Sequence, residues 1–321
     1  MANLKQKILV SFTILIGLTA VACGATLPTT TPTLENTPLL TVTPTPGNTP
    51  LPTGTPTRAS TSTPTASGNI DVGGYKLAYR CYGQGTPTVI IEAGGGDRPI
   101  ASLTWSAVTQ EVQNTTRICL YNRVPGVRTS QDIAEDLHFL LSQIPVPGPY
   151  ILVGHSIGGY HVRVYAHLYP EDVAGVILVD TTAPDSVMAF ATAYPTYSPD
   201  ESPGVTNYRV SDVNAFPTPD IDGLDFNASD EQVRQAGSLG DIPLIVISAR
   251  IDPDQWIIPG FSSEDTDRMT ATMLKLQSDL ATLSSQGVFM VANTSKHFIS
   301  LHEPQIIIDA ITQMVGEIQE H

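Results

Sequence analysis

Gly154-His155-Ser156-Ile157-Gly158-Gly159 follows the apolar run Tyr150-Ile151-Leu152-Val153 and precedes a helical pattern over residues 157–169. A serine at a sharp strand-to-helix turn must take strained backbone angles, and small residues two before and two after it leave room for that turn. The turn pushes the Ser156 hydroxyl out of the sheet. It also sets it beside the backbone N–H groups and positive dipole end of a helix N-terminus, both of which suit an oxyanion. The string is weak by itself; between a buried strand and a helix it points to nucleophilic catalysis.

A serine hydroxyl attacks a carbonyl only when a base takes its proton. Of the seven histidines, His155 lies inside the turn and points away from the hydroxyl. His138, His161 and His167 fall on helices, and His321 is terminal. His297 and His302 remain, and His297 follows the last apolar strand in Asn293-Thr294-Ser295-Lys296-His297-Phe298, where the loops of a parallel sheet line a site. The imidazole then needs a carboxylate near a strand end. Asp252, after the strand at 243–248, is the first choice; Asp180, ending the strand at 173–179, and Asp254 are the alternatives.

From residue 69 apolar strands alternate with amphipathic helices, the signature of an α/β fold with a mostly parallel sheet flanked by helices. Eight strands are expected at 69–72, 75–82, 87–92, 117–121, 150–153, 173–179, 243–248 and 288–292. Ile133, Leu137, Leu140, Leu141 and Ile144 share one face of a helix that Thr129 or Ser130 can cap; Ile307, Ile311, Met314, Val315 and Ile318 do the same near the C-terminus. The stretch 181–240 breaks the rhythm with clustered Pro, Tyr, Asp and Ser. Its length suits a cap insertion over the site.

The order Ser156, Asp252, His297, the turn around Ser156, and Ile91-Glu92-Ala93-Gly94-Gly95-Gly96-Asp97 together resemble the α/β-hydrolase family over residues 69–321. The resemblance implies an oxyanion hole formed by the backbone N–H groups of Gly95 (with Gly94 and Gly96 as neighbours that could serve) and Ile157. Tyr121-Asn122-Arg123-Val124-Pro125-Gly126-Val127-Arg128-Thr129-Ser130 is similar to a family segment reading Tyr-Asp-Arg-x-Gly-x-Gly-x-Ser. Asn122 stands here for the Asp, and Val124-Pro125 precede Gly126. The Ser nucleophile separates the chain from epoxide hydrolases and haloalkane dehalogenases of the same fold, which use Asp.

The first fifth of the 321 residues differs from the rest. Residues 1–22 read as an export signal, with Lys5 and Lys7 before an apolar run from Ile8. Ala20-Val21-Ala22-Cys23 resembles the lipobox of bacterial lipoproteins, with Ala20 where a larger aliphatic residue is usual, and implies a lipid on Cys23. Residues 23–67 then form a Thr/Pro-rich linker that has little apolar surface with which to offset its ordering entropy. As polyproline II, at about 3.1 Å per residue, it reaches at most roughly 130 Å. The folded domain is expected at 68–321, with the cap about 181–240. Of three cysteines, Cys81 and Cys119 remain after Cys23, as a disulfide in an oxidising compartment or as two thiols. The family resemblance implies neighbouring strands and brings the two together.

The net charge is −15. Removing Lys5 and Lys7 with the leader leaves 14 basic against 31 acidic residues, −17, which argues against nucleic acid and anionic lipid headgroups. No Cys or His cluster has metal-ligand spacing and the glycine loop lacks a P-loop ending, so no metal or cofactor is expected. The resulting expectation is an extracytoplasmic serine hydrolase, a carboxylesterase by default (EC 3.1.1). Its membrane contact would come only through the anchor and its partner would be a small ester-type substrate. Lipase, thioesterase and peptidase are variants of that reading, and a non-catalytic tethered binding module is the rival from another class.

Overall fold

The computed structural model describes residues 63–206, 222–250 and 260–320. The leader 1–22, Cys23 and the linker through residue 62 lie outside the described residues, as do 207–221, His321 and residues 251–259, which hold Asp252 and Asp254.

Eight strands form one sheet in the order β1-β2-β4-β3-β5-β6-β7-β8. They are β1 Ala66–Asp71, β2 Lys76–Tyr82, β3 Thr88–Glu92, β4 Ile118–Asn122, β5 Tyr150–His155, β6 Val173–Val179, β7 Leu244–Ala249 and β8 Gly287–Ala292. β2 runs against β1 and β4; every other pairing is parallel. The central strands are legible as unbroken apolar runs because both faces are covered. Alternation then sorts their side chains. Ile90, Leu152, Val176, Leu178, Leu244 and Val246 enter one core, while Val89, Ile91, Ile151, Val153, Ile177, Val179, Ile245 and Ile247 enter the other.

The first core is closed by α2 Ser130–Gln143 and α3 Gly158–Leu168, the second by α1 Ser106–Val112 and the C-terminal α8 Pro304–Glu320. Thr129 is the cap of α2: its side chain accepts from the N–H of Asp132, whose carboxylate accepts from the Thr129 N–H in return, a closed pair of otherwise unmet donors. α8 buries Ile307, Ile311, Met314 and Val315. Between β6 and β7 stand α4 Ser186–Ala193 and α5 Phe226–Ala236. α5, within the stretch read as a cap, turns its buried face of Phe226, Ser229, Val233 and Ala236 to the helix layer. Ser229 Oγ accepts from the Ser130 N–H at 2.9 Å, and Tyr160 Oη donates to Asp230 at 2.6 Å. α6 Ser263–Ala281 and the short α7 Ile299–His302 complete the layers. Cys81 and Cys119 face each other in the β2–β4 register and are disulfide-bonded. Closing a segment with that sequence separation of 38 restricts the unfolded chain by roughly 4 kcal/mol in the chain-entropy treatment. No helix among the described residues is long and apolar enough to cross a membrane.

Candidate active site

β5 is buried along its length and ends at His155; Ser156 then takes φ 54°, a left-handed backbone that non-glycine residues occupy only when their surroundings enforce it. Those surroundings are visible. The Ser156 N–H donates to Val179 O at 3.1 Å, and its carbonyl accepts from Gly159 N–H at 3.1 Å, Thr182 N–H at 3.1 Å and Thr181 Oγ1 at 2.7 Å. Gly154 and Gly158 are glycines for lack of space. A Cβ on Gly154 would meet Gly158 O and Gly159 Cα at 2.8 Å, and one on Gly158 would strike the Glu92 carbonyl oxygen.

His297, past the end of β8, places Nε2 3.1 Å from Ser156 Oγ and Nδ1 2.8 Å from Asp180 Oδ2. A carboxylate only accepts, so Nδ1 carries the proton and Nε2 is the acceptor for the serine hydroxyl. Among the described residues the carboxylate on His297 is Asp180, one of the two alternatives read from sequence; the first choice, Asp252, and the other alternative, Asp254, lie outside the described residues. Asp180 is 4% exposed with φ 41°. Its Oδ1 accepts from the Ala249 N–H at 2.9 Å and its own N–H donates to Ile247 O at 2.7 Å. The physical reason is sheet order: β6 is hydrogen-bonded to β5 on one side and β7 on the other, so the residue ending β6 lies directly beside the serine's strand. The Ala249 N–H engages one oxygen and leaves the other for the imidazole.

The loop after β3 runs past the serine, since a Cβ on Gly94 would lie 3.3 Å from Ser156 Cβ. Among the described residues nothing accepts the N–H of Gly95 or of Ile157, whereas the N–H of Gly96 donates to Asp222 Oδ2 at 2.9 Å. Of the three glycine donors the sequence offers, the N–H of Gly96 is thus already engaged. Behind the loop sits Arg123, buried, donating to Ala93 O at 2.5 Å, Gly94 O at 2.6 Å, Glu92 Oε1 at 2.5 Å and Asp222 Oδ2 at 2.9 Å. Tyr121 Oη also bonds Glu92. Burial would raise the Asp222 carboxyl, but the Gly96 N–H and the Arg123 guanidinium outweigh it and hold the group below its ordinary value. Asn122, standing where the resemblance expects Asp, accepts from the Ile100 N–H at 3.2 Å and steadies the same loop. In the sequence Arg123 lies inside the Tyr121–Ser130 segment, which by itself assigns it no role, and Asp222, in the irregular stretch, carries no local signal. Among the described residues no group of three His, Cys, Asp or Glu side chains is placed to hold a metal ion.

His155 is the hidden support of the base. Its Nε2 lies 2.9 Å from the carbonyl of His297, so Nε2–H is the donor. Burial, with His297 as a like-charged neighbour, lowers its pKa from 6.5 to about 4; His161, buried against Ser130 Oγ, is pushed down as well. A histidine held neutral in the fold contributes its full stabilisation above pH 6.5 and loses it as pH falls towards 4. The shift of His155 corresponds to on the order of 3 kcal/mol. Urea midpoints should fall between pH 7 and pH 4.5, and the fall should be shallower in His155→Gln. Equal slopes in native and variant protein would remove His155 as the source.

A family model described as alpha/beta hydrolase fold matches residues 50–253. The uncharacterized protein YqjL of Bacillus subtilis (strain 168) is 26% identical over 238 residues, covering 70% of this chain and 81% of its own. The protein described as "Probable transporter efuK" from Hormonema carpetanum is 35% identical over 130 residues, 36% of this chain, and the chain spans only 18% of that relative's length. Among solved structures, alpha/beta hydrolase domain-containing protein 10 from mouse superposes with a TM-score of 0.54 at 14% identity, over 79% of this chain and 100% of that one.

Proposed function

This chain belongs to the α/β-hydrolase fold family, and from that premise we propose that it is a serine hydrolase cleaving carboxylic esters or related acyl compounds through an acyl-enzyme on Ser156. The observation that carries the reading is the unbroken line Ser156 Oγ, His297 Nε2, His297 Nδ1, Asp180 Oδ2, with both contacts at hydrogen-bond length.

In the proposed reaction His297 Nε2 accepts the Ser156 proton as Oγ attacks the acyl carbon, and Asp180 stabilises the imidazolium that forms. The N–H groups of Gly95 and Ile157 hold the oxygen as its charge develops. The tetrahedral intermediate then collapses, and the imidazolium gives its proton to the departing alkoxide. Water, deprotonated by the same imidazole, resolves the acyl-enzyme and restores the Ser156 hydroxyl. Export and anchoring form the second part of the proposal. They rest on the leader 1–22, Cys23 and the Thr/Pro-rich linker alone, and would place the enzyme outside the cytoplasm on a lipid tether.

Covalent labelling of the full-length chain by a fluorophosphonate tests the catalytic reading without knowledge of the substrate. Native protein should be labelled at Ser156, and neither Ser156→Ala nor His297→Ala should react. A folded native chain that stays unlabelled would defeat this proposal in favour of a tethered, non-catalytic binding module.

A further inference from the structure

We infer that Asp222, contributed by the excursion between β6 and β7, is a positioning residue that locks the peptide plane presenting the Gly95 N–H to the oxyanion. The inference rests on the serine-hydrolase reading and adds to it a part supplied by a segment outside the triad.

Peptide planarity fixes which way each backbone donor of this loop points. The carbonyl of Gly94 and the N–H of Gly95 belong to one rigid trans plane and point in opposite directions. Arg123 Nη2 grips that carbonyl at 2.6 Å, which fixes the direction of the Gly95 N–H. The next plane joins the Gly95 carbonyl to the Gly96 N–H, and Asp222 Oδ2 takes that N–H at 2.9 Å. Gly95 is thus held from both sides, at a residue whose own backbone offers almost no resistance to a peptide flip. A flip would replace the donor by a carbonyl oxygen and repel the charge it should stabilise.

Asp222 acts on both planes. The oxygen that holds Gly96 also accepts from Arg123 Nη2 at 2.9 Å, so it aims the guanidinium that holds Gly94. Its other oxygen accepts from Arg98 Nη2 at 3.1 Å, on the far side of the same loop. The Asp222 backbone is anchored in turn. Its carbonyl accepts from the Gly126 N–H at 2.9 Å, and the Gly223 carbonyl from the Arg128 N–H at 3.2 Å. A Cβ on Gly223, at φ 83°, would strike the Gly126 carbonyl, so these two segments are in backbone contact. The carboxylate therefore stands on a fixed mount.

The local charge permits a clean test. Arg123 faces two carboxylates, Glu92 and Asp222. Neutralising Asp222 leaves Arg123 paired with Glu92 rather than stranded as a lone buried charge, the situation that most damages a fold.

Steady-state hydrolysis of p-nitrophenyl butyrate and inhibition by an aryl trifluoromethyl ketone, which forms a tetrahedral oxyanion on serine, should be measured for native chain, Asp222→Asn and Asp222→Ala. Asp222→Ala is expected to lower kcat by about 10- to 100-fold, less than or comparable to outright loss of an oxyanion donor. KM should stay within about twofold and ketone affinity should fall by the same factor as kcat. Asp222→Asn, whose amide oxygen can still accept from Gly96 and Arg123 but which carries no charge for the guanidinium and offers Arg98 no acceptor, should fall between native and Asp222→Ala. If Asp222→Ala does not fold, Asp222→Asn carries the decision. Unchanged kcat in a folded variant overturns the inference, as does a loss confined to KM or one that leaves ketone affinity untouched. Fluorophosphonate labelling separates the two levels: native protein labelled at Ser156 with no effect of Asp222 sinks only this inference, whereas unlabelled native protein sinks the reading beneath it.

Discussion

Ser156→Ala is expected to lower kcat on an acyl ester by about a millionfold, His297→Ala by a similar factor, and the double substitution by no more than either alone. In the proposed reaction the two residues perform one act. The hydroxyl without a base is a poor nucleophile, and the base without a hydroxyl has no proton to take in the step that matters. Their 3.1 Å contact is the physical statement of that dependence. In all three variants binding and the proposed Gly95 and Ile157 donors should survive and keep residual rates above those in water. Single and double variants assayed on one p-nitrophenyl ester check it. Multiplying losses in the double variant would mean that Ser156 and His297 act in separate steps, and a residual rate near native would remove Ser156 from the reaction.

Asp180→Asn is expected to cost about 10⁴ in kcat with little change in KM. The amide fits the same space and can still accept from the Ala249 N–H. It can also donate to His297 Nδ1, which favours the tautomer with the proton on Nε2, where the serine needs an acceptor. The charge that would stabilise the imidazolium is lost as well. Asp252→Asn and Asp254→Asn, made beside it, are expected to keep kcat within about threefold, the usual scale for changes away from the chemistry. kcat for the three variants decides the acid: a 10⁴ loss in Asp252→Asn with an active Asp180→Asn would return the role to the residue after β7.

Much of this molecule is readable along the chain because its central strands are buried on both faces. Thr88–Glu92, Tyr150–His155, Val173–Val179 and Leu244–Ala249 carry unbroken or nearly unbroken buried patterns, and a run of that kind bounded by turn residues has few other ways to fold. The helix at Ser130–Gln143 declares itself through its apolar spacing and a cap at Thr129. The helix at Ser263–Ala281 has a comparable cap, Ser262 with Asp265, but it follows a stretch without periodicity and escapes notice. Within the stretch 181–240, polar clusters mask in the sequence the amphipathic face of Phe226, Val233 and Ala236 that the structure packs on the helix layer.

Sequence alone singles out Ser156 and His297 as candidates, since a strand-to-helix turn flanked by Gly154 and Gly158 and a histidine after the last strand are local patterns, and the structure brings the two to 3.1 Å. The carboxylate that meets His297 and the mounting of the loop after β3 are visible only in the tertiary structure. Asp180 and Asp252 both follow apolar runs and both lie between Ser156 and His297 in the chain, so order cannot separate them. The pairing of β6 with β5 does, by bringing one strand end to within 2.8 Å of His297. Asp222 meets Arg123 across 99 residues, and no periodicity encodes that meeting. Sequence patterns report which face a residue turns to the core, whereas contacts between remote loops depend on how strands are ordered and where each connection returns.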